Sequence, residues 1–267
     1  VDDPNGEDAV RRRGPTRRRL IAAGAAGVGG LILPGCDRLS RAPAFDQFLE
    51  SAQGLTFGAQ RLLEGQALAR EFAPAQMSPT FRTNGTDLPP SPAYQMMAAA
   101  GFADWRLSVG GLVIRPLALS LGDLKGLRAR TQITRHDCVE GWSAIGQWTG
   151  PPLSAVLALA GLKPTVRYIV FHCADAMDGQ PDGTDFYYES IDLIDAFHPQ
   201  TILAYAMNGK PLEIGHGAPL RLRVERQLGY KHAKYVMRIE AVESLLKIGM
   251  GRGGYWEDSG YDWYAGA

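Results

Sequence analysis

An α+β fold built on a mixed or barrel-like sheet is predicted by three features of the chain. Stretches with the two-residue alternation of strands outnumber stretches with helical spacing. The helical stretches interrupt the strands irregularly instead of following each one. Thirty-two glycines and 17 prolines in 267 residues supply the many turns such a sheet needs. This length buries a substantial core, as one large domain or a domain with an appendage.

The first forty residues read as targeting rather than fold. Arg17, Arg18 and Arg19 lead into an uncharged stretch, Leu20 to Cys36, rich in Gly and Ala. Its weak hydrophobicity suits a signal h-region better than a membrane span of about 20 strongly apolar residues. The arginine pair after Thr16 resembles a twin-arginine export signal, a route that carries folded proteins, often after cofactor insertion. The plainer alternative is a basic arm beside a small helix. Leu33-Pro34-Gly35-Cys36 resembles a lipobox with Cys36 as the lipidated residue; plain cleavage and an uncleaved anchor are the other options.

Residues 45–72 carry Phe45, Phe48, Leu49, Leu62, Leu63 and Leu68 at helical spacing, which predicts one or two amphipathic helices broken near Gly54 to Gly58. Residues 78–92 are irregular because of their prolines and Asn84-Gly85. Trp105 to Val109 is predicted as a strand, Gly110-Gly111 as a turn and residues 112–119 as the partner strand; residues 120–127 follow as a short helix capped by Ser120. Residues 128–137 alternate into a strand that ends at Cys138. Residues 151–162 form a short apolar helix with proline at its start, 166–175 a buried strand, and 190–199 a helix stopped by Pro199. Residues 201–214 are a strand pair joined by Asn208-Gly209. Strands at 219–225 and 235–245 complete the chain, in which no repeat or heptad is visible.

Lys and Arg together number 28, as do Asp and Glu. Zero net charge argues against general nucleic-acid binding. Three cysteines are too few for a disulfide scaffold, and the odd count leaves one thiol unpaired within the chain.

Cys138, in Arg135-His136-Asp137-Cys138-Val139-Glu140-Gly141-Trp142, has four readings. It is a buried small hydrophobe, half of a disulfide with Cys173, a nucleophile partnered by His216 or His232, or a thiolate ligand to a soft or high-valent metal held mostly by another group. Zinc at His136, Cys138, His172 and Cys173 is disfavoured, because neighbouring side chains on the strand through His172 and Cys173 point to opposite faces.

Residues 216–234 concentrate His216, Arg221, Arg223, Arg226, Lys231, His232 and Lys234 against one acid, Glu225. Gly217 and Gly229 permit close backbone approach. Such a segment suits phosphate or another anion; the alternative is a solvated basic strand.

Taken together, "RHDCVEGW", "HGAPLR" and "GYKHAKY" resemble the molybdopterin-binding segments of the sulfite oxidase family, over roughly residues 80–267. "CVEGWS" and "GYDWYAG" are most similar to the bacterial periplasmic branch that contains protein-methionine-sulfoxide reductase catalytic subunits. The resemblance implies a sulfite oxidase-type fold and three regions: a signal or anchor segment (1–40), a helical segment (41–78) and a catalytic domain (79–267). It implies one molybdenum-molybdopterin per chain, with Cys138 as the metal's protein ligand. Arg82, Asn84, Gly85, Cys173 or the competing Asp175, His216, Arg221, His232, Ala233 and Lys234 take the cofactor-binding positions. Arg135 and Trp142 are the candidates near substrate.

No c-type haem attachment pattern is present, so the resemblance implies electrons exchanged with a membrane cytochrome b-type haem subunit. The implied reaction is oxygen-atom transfer, reducing an S-oxide or N-oxide in the periplasm; sulfite oxidation and a non-catalytic exported binding module are the alternatives.

Replacing Arg17, Arg18 and Arg19 together by Lys is expected to hold the protein in the cytoplasm. Cell fractionation checks this, and normal periplasmic recovery of the triple variant would overturn the export reading.

Overall fold

A five-stranded mixed sheet of Leu117–Ser120, Arg106–Gly111, Val236–Val242, Tyr168–Ala176 and Phe186–Asp192, in that spatial order, forms the centre of the unit Gly65–Ala267. In the computed structural model, residues 67–181 and 184–267 are described, together with Gly58; apart from Gly58, all lie in one unit, Gly65–Ala267. The central strands are β1 (Arg106–Gly111), β2 (Leu117–Ser120), β5 (Tyr168–Ala176), β6 (Phe186–Asp192) and β11 (Val236–Val242). β1 runs parallel to β11, and the other pairs are antiparallel. A second sheet joins β3 (Arg130–Cys138), β4 (Trp142–Gly150), β8 (Ala206–Met207) and β9 (Lys210–Pro211); β7 (Ile202–Ala204) pairs with β10 (Arg221–Arg223).

Side-chain periodicity explains these elements. In β1, Leu107 and Val109 are buried while Arg106 and Ser108 are exposed, the alternation of a strand with one covered face. β5 buries Ile169, Val170 and Phe171 consecutively, as a strand covered on both faces does. Helix α2 (Leu121–Gly126) starts with a capping box, in which Ser120 accepts from the Asp123 amide and Asp123 from the Ser120 amide. Helix α3 (Leu153–Ala160) buries Leu153, Val156, Leu157 and Ala160, one face at helical spacing; each larger side chain contributes about 1.5–3 kcal/mol. Between residues 67 and 267 the remaining described α-helices are α1 (Pro92–Ala99), α4 (Leu193–Ala196) and α5 (Tyr255–Asp258).

Several expectations are corrected. Residues 67–72 are extended, not helical: Glu71 bridges Thr134 and pairs with Arg130, and Gln200 bonds both backbone groups of Ala69. Gly58 is itself helical; the rest of the predicted 45–66 helices, like residues 1–40, lies outside the described residues. Gly110-Gly111 is the end of β1 rather than the turn, because Gly111 lies against β11, where a Cβ would fall 2.4 Å from the Ala241 carbonyl oxygen. Ser190–Asp192 belong to β6, where Ile191 pairs with Ile169, leaving one helical turn that Asp192 caps. β4 and most of β6 had no counterpart in the reading of the sequence.

Gly150 ends β4 against the β7 backbone, with its virtual Cβ only 1.9 Å from the Leu203 carbonyl oxygen. Gly150→Ala is expected to cost about 3 kcal/mol, since backbone has to move. Urea unfolding measures it, and a loss below about 0.5 kcal/mol would show that β4 and β7 can separate freely.

Candidate cofactor and active site

Cys138 closes β3 at the hairpin corner with β4, where the Gly141 amide donates to the Cys138 carbonyl and Gly141 takes the left-handed φ that a tight turn requires. The thiol is half-buried. Burial raises its pKa and the Glu140 charge adds to this, while Arg221 and backbone amide donors oppose it. Cys138 and Cys173 are both free, so the disulfide reading does not hold.

The cavity that Cys138 borders is lined by two groups of residues. One comprises Asn84, Gly85, Asp175, His232 and Lys234; the other comprises Met177, Tyr187, Tyr230, Trp256 and Tyr261, with Val139 and Glu140 beside the cysteine. Arg221 stands behind the polar group, donating to the Asn84 side-chain oxygen and to the His216 carbonyl, both at 3.1 Å. Lys234 donates to the Thr86 carbonyl at 2.5 Å and the Gly215 carbonyl at 3.0 Å. Gly217 permits this approach, since a Cβ there would sit 2.9 Å from the Lys234 side chain.

Charge pairing sorts the basic segment 216–234 into two classes. Arg223 is paired with Glu225 at 2.6 Å, Arg226 with Asp195 at 2.5 Å, and Lys231 with Glu189 and Glu257, both at 2.5 Å, all buried. These cations are compensated and hold the fold together, which corrects the expectation that the whole segment serves an anion. Arg221 and Lys234 differ, because among the described residues their acceptors are neutral oxygens. Burial, then Arg223, lowers the Arg221 pKa to about 9; burial, then Arg221, lowers that of Lys234 to about 7. Two cations buried without a paired carboxylate are a site that favours an anion.

Unpaired polar atoms surround the same site. His232 donates from Nε2 to the Gln227 carbonyl, leaving Nδ1 as a buried acceptor without a partner among the described residues; Asp175 Oδ1 and Arg221 Nε are likewise unpaired. Burial holds His232 and His136 neutral, well below the usual histidine range. Arg223 donates to His136 Nδ1 at 3.0 Å, so the neutral ring carries its proton on Nε2, another buried donor without a partner. A polar, anionic group with its own N–H donors fits this set.

The expected residues divide accordingly. Asn84, Gly85, Cys138, Asp175, His232 and Lys234 share the cavity wall, and Arg221 joins them through Asn84. His216 lies alongside, its ring 5.7 Å from that of Phe81, in a neighbouring recess. Cys173 is buried in the hydrophobic core, so Asp175 takes the place on the wall; Ala233 is core as well. Arg82 is exposed and not part of the wall.

Arg135 is corrected too. Its side chain is 55% exposed and pairs with Asp137 at 2.9 Å, because residues 135 and 138 are an odd number apart in β3 and face opposite ways. Trp142 packs on Phe81 and His136 and donates its indole N–H to Glu140, so it braces a cavity residue without bordering the cavity. His172 bonds Glu240 while Cys173 enters the core, the opposite-face arrangement that disfavoured zinc. Met177, Tyr187 and Trp256 were not singled out from the sequence; Glu140, Tyr230 and Tyr261 lie in the quoted "RHDCVEGW", "GYKHAKY" and "GYDWYAG".

A sheet-built cavity with buried, unmatched cations and a cysteine at its edge defines a binding protein for an anionic cofactor. Residues 94–246 match the family described as Oxidoreductase molybdopterin binding domain. The chain is 36% identical over 258 residues to a protein of Azospira oryzae named as the protein-methionine-sulfoxide reductase subunit YedZ1, covering 95% of this chain and 88% of that one. It is 37% identical over 172 residues to the protein-methionine-sulfoxide reductase catalytic subunits MsrP of Xanthomonas axonopodis pv. citri and Xanthomonas campestris pv. campestris, covering 62% of this chain. The alignments span about half, 52%, of those two proteins. The sulfane dehydrogenase SoxCD of Paracoccus pantotrophus is similar over 67% of this chain and 46% of that chain, at 23% identity and a TM-score of 0.49. The chain belongs to the molybdopterin-binding oxidoreductase family, that of the sulfite oxidases.

Lys234 generates a pH prediction. Its folded pKa of about 7 lies below the ordinary value of 10.5, so between these values the unfolded chain holds more protons at this position. Stability of the cofactor-free protein therefore gains an increment as pH rises from about 7 to about 10, and is without it below pH 7. Thermal melts of wild type against Lys234→Met are expected to diverge across that window; parallel curves would show that Lys234 carries no unmatched charge.

Proposed function

We propose that this chain holds a molybdenum-pterin cofactor and, after export to the periplasm, reduces neutral organic S-oxides of the methionine-sulfoxide type. Overall, one sulfoxide takes up two electrons and two protons and yields one sulfide and one water, the sulfoxide oxygen leaving in the water. The electrons are drawn from a membrane cytochrome b-type haem subunit. The observation that carries this reading is the division of the cavity between unmatched cations and an aromatic, cation-free lining. The names of the relatives in Azospira and Xanthomonas support it.

Arg221 and Lys234 would neutralise the cofactor's phosphate, while Asn84, Asp175 and His232 would meet its polar ring atoms. Cys138 would lose its proton and supply the protein's sulfur to the metal. When bound, the molybdenum centre supplies the two-electron redox change that oxygen-atom transfer requires. Val139, Met177, Tyr187, Tyr230, Trp256 and Tyr261 then surround the substrate with apolar and aromatic surface that excludes water.

The sulfite alternative is less well supported. A dianion needs several converging cations, yet Arg135 faces away and Glu140 would repel it.

Steady-state assay of the molybdenum-loaded protein, with artificial electron carriers, tests the reading using methionine sulfoxide, dimethyl sulfoxide and sulfite. S-oxide turnover is expected; sulfite turnover alone would overturn it. Arg221→Ala is expected to lose at least about 10²-fold in cofactor affinity and to be recovered nearly free of molybdenum. Cys138→Ser is expected to retain pterin and lose nearly all turnover, since a hydroxyl is a poorer donor to the metal than a thiolate. Wild-type rate in Cys138→Ser would remove the cysteine from the metal.

A further inference from the structure

Helix α5 and the turn that follows it bring Trp256 and Tyr261 to the cavity, their ring centroids 5.4 Å apart. Tyr261 also meets Tyr230 edge to face at 5.3 Å, so the three rings form one continuous surface. The residue after Trp256 turns inward: Glu257 is 1% exposed and accepts from Lys231, whose ammonium also reaches Glu189 of β6. Gly254 leaves room for this cluster, since a Cβ there would fall 2.0 Å from Glu257 Oε2. The Tyr230 hydroxyl donates to the Asp262 carbonyl at 2.6 Å, and the Trp263 indole donates to Ser190 at 2.8 Å. Lys231 sits in the same turn as Tyr230 and His232, both of which line the cavity. One buried lysine thus ties the aromatic wall to the turn that carries the polar wall.

Resting on the S-oxide reading above, we propose that Trp256 and Tyr261 determine substrate specificity by receiving the S-methyl and carbon substituents of a neutral organic S-oxide, and that the Lys231–Glu257 pair positions them. A sulfur-bound methyl group gains dispersion and sulfur–aromatic contact at ring edges. An inorganic oxyanion gains nothing from the negative faces of these rings. The ion cluster holds the wall because one ammonium joins Glu189 of β6 to Glu257 of α5, so the wall keeps its place without contacting substrate through the cluster itself.

The test uses methyl p-tolyl sulfoxide with the molybdenum-loaded protein. Trp256→Ala and Tyr261→Ala are each expected to raise KM about ten-fold while molybdenum content stays at the wild-type level and kcat changes less than about two-fold. Glu257→Gln, which keeps shape and removes charge, is expected to raise KM in the same way with kcat retained; an unchanged KM would reduce the cluster to a structural role.

An independent readout is tryptophan fluorescence on titration with methyl p-tolyl sulfide. Quenching is expected in wild type, weakened at least five-fold in Tyr261→Ala and absent in Trp256→Phe; equal quenching in all three overturns the wall. Tyr261 is exposed, so its variant separates the effect from a folding defect. A wild-type protein that reduces no S-oxide sinks the functional reading. One that reduces S-oxides while both alanine variants keep the wild-type KM and quenching sinks only this inference.

Discussion

Arg221 and Lys234 are buried opposite neutral oxygens, and this unmatched positive charge is the constraint around which the site is organised. Every other buried cation of the basic segment has a carboxylate within 2.6 Å. An unmatched buried ion costs several kcal/mol, which the fold tolerates only if something offsets it. Part of the compensation is aromatic: the Arg221 guanidinium carbon lies 5.2 Å from the Trp148 ring centroid and the Lys234 ammonium 4.9 Å from that of Tyr235. The remainder is left for an anion, so cofactor binding and stability are coupled through these two side chains.

The same division of charge shapes the other wall. Lys231 could have been a third cation facing the cavity, since its neighbours Tyr230 and His232 both line it. Glu189 and Glu257 claim it instead, and through Glu257 it fixes the segment that carries Trp256 and Tyr261. One turn of chain, Gly229–His232, therefore serves the polar and the aromatic walls at once. Among the described residues, the paired lysine leaves the aromatic side without an exposed cation, which suits the neutral substrate proposed above.

Much of this site was legible in the chain. Cys138, Arg221, His232 and Lys234 stand out as a cysteine at a strand end and basic residues beside glycines, residue types that carry chemistry; Asn84 comes only from the family resemblance. The failures have specific causes. Placing Arg135 near substrate ignored the parity of strand side chains. Treating residues 216–234 as one anion site overlooked Asp195, Glu189 and Glu257, acids distant in sequence that neutralise most of it. Cys173 and Asp175, two residues apart, share a face in a regular strand; the irregularity in β5 between His172 and Ala176 puts one in the core and the other on the cavity, which sequence spacing does not contain.

Alternation, capping and turn chemistry are local, so the sequence by itself determined the mixed α+β class, the helix that Ser120 caps, the Asn208-Gly209 hairpin, and the strand that ends in Cys138. Pairing between distant segments decided the rest. β4 became a strand because β3 lies beside it through Cys138↔Trp142, and Ser190–Asp192 left their helical pattern because β5 offered a ladder. Which cations serve the fold and which remain for a ligand is settled by acids that arrive from other elements. Electrostatic compensation acts over a few ångströms of space rather than along the chain, so only the tertiary structure could divide the basic segment into scaffold and site.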